Sequence, residues 1–306
     1  FCESTVNLPI FMQYWWLDAV AGKDNWDVIV AEKGGHITAC MPYYKQKEYI
    51  FSYISMPKLT QHLGVWLNYP EDQKYTNRLS FEKKVITDMI DNLPPFDWYR
   101  QSFHHSFTNW LPFYWSGFKQ TTKYTYRIEN IESLEKVFAN FRDNLRWEIR
   151  KAERRVRIET TEDLELYYQM NRKTFSRQNR KMPYDFNLLQ SLDSACRERG
   201  CRTILIAKDN QGKIHSAAYF IWDDSSVYYL MGGSDPEMRN SGAASLILYE
   251  AVKVAAEQNK SFDFEGSMAE PIERFFRSFG ARQTPYFHIE KINSRLIKFK
   301  RALTLI

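Results

Sequence analysis

This chain of 306 residues has few cysteines and few glycines, and it has no long apolar run. Its four cysteines, Cys2, Cys40, Cys196 and Cys201, are scattered without zinc-ligand spacing. They read as reduced, partly buried thiols of a cytoplasmic protein rather than as a disulfide framework. No stretch approaches the roughly 20 apolar residues that span a bilayer. The opening "FCESTVNLPIFMQYWW" has neither the basic region nor the apolar run of a signal peptide. His104 and His105 are adjacent and in a strand would point to opposite faces, so no metal is expected. The net charge of +5 is too mild to demand DNA or another nucleic acid, though it suits an acidic or phosphorylated substrate.

What is plentiful is apolar and aromatic side chain, 44% and 16% of the sequence. That is ample for a core of one large or two smaller domains. The second half reads as a hairpin around "DNQG", a strand "SSVYYLMGGSD", a helix from Ala243 to Gln258, a short strand "SFDFEGS", a short helix "PIERFFRSFGA" and a last strand "PYFHIEKI". The first half gives the same order: a hairpin around "KGG", then "YIFSYISMP", "SFEKKVITDMIDNL", "PFDWYRQSF", "NWLPFYWSGF" and "TKYTYRIE". "FYWSGFKQTTKYTYRIE" lies over "FFRSFGARQTPYFHIEK". A unit written twice predicts two similar α/β domains with mixed sheets. The expected boundaries are 1–140 and 141–306.

"FRDNLRWEIRKAERRVR", Phe141 to Arg157, enters the second half with seven Arg or Lys residues. Arg146, Arg150 and Arg154 recur on one helical face. Either a solvated helix or an anion-binding face accounts for them.

Three of the 12 glycines fall in "GGSDPEMRNSGAASLILYEAV", around an arginine and before a helix. A turn explains the glycines alone. An anion site explains the whole stretch, because the free N–H groups and dipole of a helix N-terminus attract phosphate. Arg239 would add charge, and Gly242, with Ala243 and Ala244 after it, would let the backbone approach a diphosphate. On this reading Gly242→Glu blocks the ligand without unfolding the protein.

Arg-x-x-Gly-x-Ala between a strand and a helix resembles the acyl-CoA pyrophosphate loop of the GNAT acyltransferase superfamily. The tandem repeat, the "LRWEIRKAERR" helix, and "FDFEGS" followed by "FFRSFGA" resemble its Fem-like (methicillin-resistance-protein-like) branch and related bacterial acetyltransferases. The resemblance covers nearly the whole chain. It implies an α/β (α+β mixed-sheet) fold of two tandem GNAT-like domains. The first half has "SMPKLTQHLGVWLNYPEDQ" at the equivalent place, so only the second half should bind a coenzyme. The long helical hairpin common in tRNA-using Fem enzymes is missing between Thr161 and Arg199, where two ordinary helices are expected.

The resemblance further implies that "VYYLMGG" and "SFDFEGS" splay to admit the acyl chain. Met231 and Gly232 would pair with the pantetheine arm, and Arg239, Asn240, Ser241, Gly242, Ala243 and Ala244 would hold the diphosphate. Glu265 is the candidate base, or a brace for its loop. Asp263 would orient the site, and Tyr286 is a candidate acid for the departing thiol. Arg177, Arg180 and Lys181, in a basic loop, would hold an anionic acceptor. Three functions follow. One is an N-acyltransferase moving an acyl group from acyl-CoA or acetyl-CoA to a small-molecule, sugar or peptide amine. Another is a Fem-type transferase using aminoacyl-tRNA on a peptidoglycan precursor. The third is a binding module that kept the fold without the chemistry.

Overall fold

The computed structural model describes residues 1–304 apart from Glu3, Ser4, Val6, Glu71 and Ser267. The chain forms two compact units, Phe1–Lys123 with Pro285–Ile306, and Tyr124–Thr284.

In chain order the first unit holds α1 (Tyr14–Ala21), β1 (Trp26–Lys33), β2 (His36–Glu48), β3 (Phe51–Ser55), β4 (Trp66–Leu67), α2 (Tyr75–Asp91), β5 (Trp98–Ser102), α3 (Leu111–Trp115) and the start of β6 (Lys119–Ile128). The second holds α4 (Leu134–Ala139), α5 (Asp143–Glu153), β7 (Val156–Thr160), α6 (Leu164–Arg177), α7 (Phe186–Glu198), β8 (Arg202–Asp209), β9 (Ile214–Trp222), β10 (Ser226–Ser234), α8 (Ala243–Glu257), β11 (Ser261–Asp263) and α9 (Glu270–Arg277). Strand β12 (Arg282–Ile292) then re-enters the first unit, which α10 (Arg295–Thr304) follows.

The repeat is visible in the pairing. Strand β2 lies between antiparallel β1 and β3, and β3 pairs in parallel with β5. In the second unit β9 lies between antiparallel β8 and β10, and β10 pairs in parallel with β11. The last strand of each half is exchanged. Arg127 and Ile128 of β6 pair with β11 of the second unit. His288–Ile292 of β12 pair with β5 of the first. The boundary expected at 140/141 therefore moves: the chain crosses inside β6 at 123/124 and returns inside β12 at 284/285. Local pattern identified both strands, but pairing partners are a non-local choice that no pattern within a strand encodes.

Each unit has its own core. Met41, Ile54, Ile86, Tyr99, Phe103, Phe113 and Ile289 pack in the first. In the second, Leu145, Ile149 and Ala152 of α5 pack with Phe220, Leu246, Val252, Phe262, Phe264 and Phe276. The basic segment forms α5 only as far as Glu153, and from Val156 it is strand β7. Among the described residues no helix is long and apolar enough to cross a membrane, and no cluster of His, Cys, Asp and Glu could hold a metal.

Candidate functional site

Strand β10 carries the main irregularity. Tyr229 pairs with Phe220 and Met231 with Tyr219, so Leu230 is passed over in a bulge. On its other edge β10 pairs with β11 only from Ser226 to Tyr228. Beyond Asp263 the chain leaves that edge, and the Phe264 N–H donates to the Tyr126 carbonyl. The two strands thus part at Tyr229, as the splayed pair was expected to do. The first unit stitches its corresponding stretch shut: Leu63 bridges Phe103, its N–H donating to the Ser102 carbonyl while its own carbonyl accepts from the His104 N–H.

The glycines divide by task. Gly232 and Gly233 lie within β10, not in the loop. A Cβ on Gly232 would sit 2.3 Å from the Tyr229 hydroxyl, and one on Gly233 would sit 2.5 Å from the Met170 carbonyl of α6. Their missing side chains let an aromatic ring and a helix press onto the bulged strand. Gly242 alone belongs to the loop. It caps α8 in the left-handed region, φ 81°, after a 3-10 turn at Arg239–Ser241. Its absent Cβ points into α5, 2.7 Å from the Glu148 carbonyl and 3.2 Å from the Ala152 methyl. The clean block expected of Gly242→Glu does not hold, because any side chain there strikes α5 backbone before it meets a ligand.

Helix α5 is therefore a buttress for the loop. Lys151 Nζ donates to the Asn240 carbonyl at 3.3 Å. Burial pushes the Glu148 pKa up, and the Ser245 hydroxyl in the first turn of α8 opposes the rise. Arg146 pairs with Asp143, and Arg150 stacks on Phe138 at 5.7 Å. Arg239 and Asn240 are exposed, Ser241 and Ala243 buried, and Ala244 half-buried. The Ala243 N–H reaches the Ser241 hydroxyl at 3.3 Å.

Where the strands part, two buried carboxyls follow each other. Asp263 is fully buried. Its Oδ1 accepts from the Thr125 hydroxyl and from the Glu265 N–H, and Oδ2 lies 3.5 Å from Arg127 Nη1. Burial pushes its pKa up, and Arg127, Thr125 and the Glu265 N–H oppose the rise. These contacts make Asp263 a brace. Glu265 has φ 59° and is 6% exposed, and neither of its carboxylate oxygens has a hydrogen-bond partner among the described residues. Burial raises its pKa well above the ordinary value, and the charges of Asp263 and Asp223 add to this. Burial thus favours the protonated form of this carboxyl. A buried, unpaired carboxyl costs stability unless it serves something else.

Tyr286 falls in the first unit, its ring edge-on to His62 at 4.9 Å. Arg177 lines a cavity of about 480 Å³ with Gln169, Arg172, Lys173, Ser176 and Pro236. Arg180 and Lys181 are exposed outside that lining. Met231 is held by groups the sequence did not single out. The Tyr184 hydroxyl donates to its Sδ at 2.9 Å, and Asn171 Nδ2 donates to both the Tyr184 and Tyr167 hydroxyls. Tyr184 lies just beyond Arg180 and Lys181, and only tertiary packing brings it under β10.

A bulged strand that parts from its parallel neighbour and runs into a glycine-capped helix defines an acyltransferase-type domain, with the donor open. Residues 139–277 match the acetyltransferase (GNAT) domain family, and the fold of the chain as a whole is similar to FemX and to tandem GNAT proteins. The FemX crystal structure aligns over 94% of this chain and 93% of its own, with a TM-score of 0.69 at 14% identity. L-PGS from Bacillus licheniformis aligns over 92% and 88%, with a TM-score of 0.55 at 12% identity. A tandem GNAT protein from the clavulanic acid biosynthesis pathway aligns over 88% and 83%, with a TM-score of 0.51 at 8% identity. At these identities the likeness is one of fold. No curated protein sequence matches the chain.

Proposed function

We propose that this protein is a cytoplasmic N-acyltransferase that moves an acyl group from an acyl-CoA thioester to an amine. The carrying observation is the run from the bulged, splayed β10 into the Gly242-capped α8, with Arg239 exposed beside it. On this reading the pantetheine arm lies along β10 near Met231 and Gly232, and the diphosphate meets the loop 239–244. The attacking amine forms the amide C–N bond and the C–S bond breaks. The amine proton leaves, and the sulfur gains one. Glu265, whose buried carboxyl favours its proton, would supply a proton to the departing sulfur and recover one from the nitrogen, so no net proton is consumed. Asp263 fixes the turn that presents it. The cavity beside Arg177 and Arg172 suits the anionic part of a small-molecule, sugar or peptide acceptor.

The test is thermal unfolding with acetyl-CoA for the parent and for Arg239→Glu, a change at an exposed side chain. Ligand at about 100 times its dissociation constant stabilises by about 2.7 kcal/mol and raises the midpoint by a few degrees. The variant should lose that rise. No rise in the parent sinks the CoA reading.

A second reading, transfer from aminoacyl-tRNA, has its own support. The fold match to FemX is fuller than the match to the tandem GNAT protein. The Glu148 carboxylate at Ser245 also opposes a diphosphate at the α8 N-terminus. It predicts that charged tRNA is retarded in a native gel while acetyl-CoA leaves the midpoint unmoved. A binding module without chemistry predicts no turnover with either donor.

A further inference from the structure

A second cavity lies wholly within the first unit, between the facing strands β6 and β12 and the helix α10. It measures about 720 Å³, within the roughly 300–1,000 Å³ of small-ligand sites. Its charge is one-sided. Lys119, Lys123, Lys291, Lys298 and Arg301 line it against a single carboxylate, Glu290. Two of those cations are already engaged, Arg301 with Glu290 and Lys291 with the Ser116 carbonyl at 2.8 Å. The ammonium groups of Lys119, Lys123 and Lys298 have no ion pair among the described residues.

Lys123 is the informative one. It is half-buried on a strand, where an ammonium is costly without a counter-charge. Burial lowers its pKa, and no neighbouring carboxylate raises it again. Burial of His288, on the same wall, lowers its pKa to about 4, and the charges of Lys123, Arg100 and Arg301 add to this against Glu290. Ser102 Oγ lies 3.1 Å from its Nδ1. The wall therefore offers a neutral imidazole beside concentrated, unmatched positive charge. Three ammonium point charges around one cavity match a multiply charged phosphate better than a lone carboxylate.

We propose that the cavity beneath α10, walled by Lys119, Lys123, His288 and Lys298, binds a small molecule bearing a phosphate or diphosphate. The site belongs to the first unit alone and does not depend on which acyl donor the second unit uses.

Calorimetric titration of the full chain with inorganic pyrophosphate at constant ionic strength tests it. The parent should bind. Lys123→Gln should weaken binding by roughly ten- to a hundredfold, the effect of removing a charge-assisted contact. Lys47→Gln, an exposed change away from the cavity, should not weaken it. If Lys123→Gln fails to fold, the double variant Lys119→Gln/Lys298→Gln alters only exposed side chains and should bind about tenfold more weakly. Pyrophosphate should also raise the titration midpoint of the His288 imidazole in NMR, since a bound anion favours the imidazolium. Vesicles of phosphatidylglycerol that displace pyrophosphate would place the phosphate on a lipid headgroup, and vesicles without effect leave a soluble phosphate. No binding to the parent, variants within about twofold of it, or an unmoved His288 midpoint overturns the proposal.

Discussion

Replacing Gly242 by alanine separates two physical effects at the helix cap. The residue has φ 81°, so an alanine pays the left-handed penalty of about 1–2 kcal/mol. It also puts a methyl 2.7 Å from the Glu148 carbonyl oxygen and 2.9 Å from its Cγ. The oxygen is backbone, in a helix anchored by buried Leu145, Ile149 and Ala152, so α5 must retreat as a body. Such overpacking costs about 1–3 kcal/mol, giving about 2–5 kcal/mol for both effects. Gly212 supplies the control within the same unit. Its φ is 83°, and a Cβ there meets only the Lys208 Cε, at 3.9 Å. Gly212→Ala should therefore cost the conformational penalty alone. Urea unfolding of both variants reads the difference as a shift in midpoint at unchanged slope. Equal costs would refute the claim that α5 packing requires glycine at the cap, and would return Gly242 to the ligand.

Three further outcomes follow from the site. Glu265 has a folded pKa above its unfolded value, so the stability it contributes is full below about pH 4.3 and is lost as pH climbs toward the folded pKa. Glu265→Gln should then gain on the parent in thermal midpoint from pH 5 to pH 8, and a gap that stays constant with pH contradicts the buried, protonated carboxyl. Asp263→Ala leaves the buried Arg127 without its buried partner and should cost about 3–5 kcal/mol in urea unfolding; a loss below about 1 kcal/mol would mean the pair does not brace the turn. Arg239→Glu should abolish the midpoint rise given by acetyl-CoA while leaving the unliganded midpoint in place, as thermal unfolding will read directly.

The loop and its neighbours show how far residue patterns reach. Helix α8 begins at Ala243, as its apolar stripe and the preceding glycine signalled, and "VYYLMGG" is a strand that parts from "SFD" after three paired residues. Gly232 and Gly233 end the strand that the sequence placed there, and what requires them is Tyr229 on one side and α6 on the other. The basic run before β7 left a solvated helix and an anion-binding face open. In the structure its helix engages Lys151 with the Asn240 carbonyl of the loop, Arg146 with Asp143 and Arg150 with Phe138.

Sequence alone determined the doubled unit and the order of its main strands and helices, because periodicity and turn chemistry act over a few residues and are written locally. Tertiary structure decided the rest. It chose which half each final strand joins, it buried Glu265 without a partner while giving Asp263 three, and it put Tyr184 and Asn171 beneath Met231. It also gathered Lys119, Lys123, His288 and Lys298 around one cavity from segments well over a hundred residues apart in the chain. Pairing, burial and charge proximity are properties of distances between remote residues, and those distances exist only once the chain has folded.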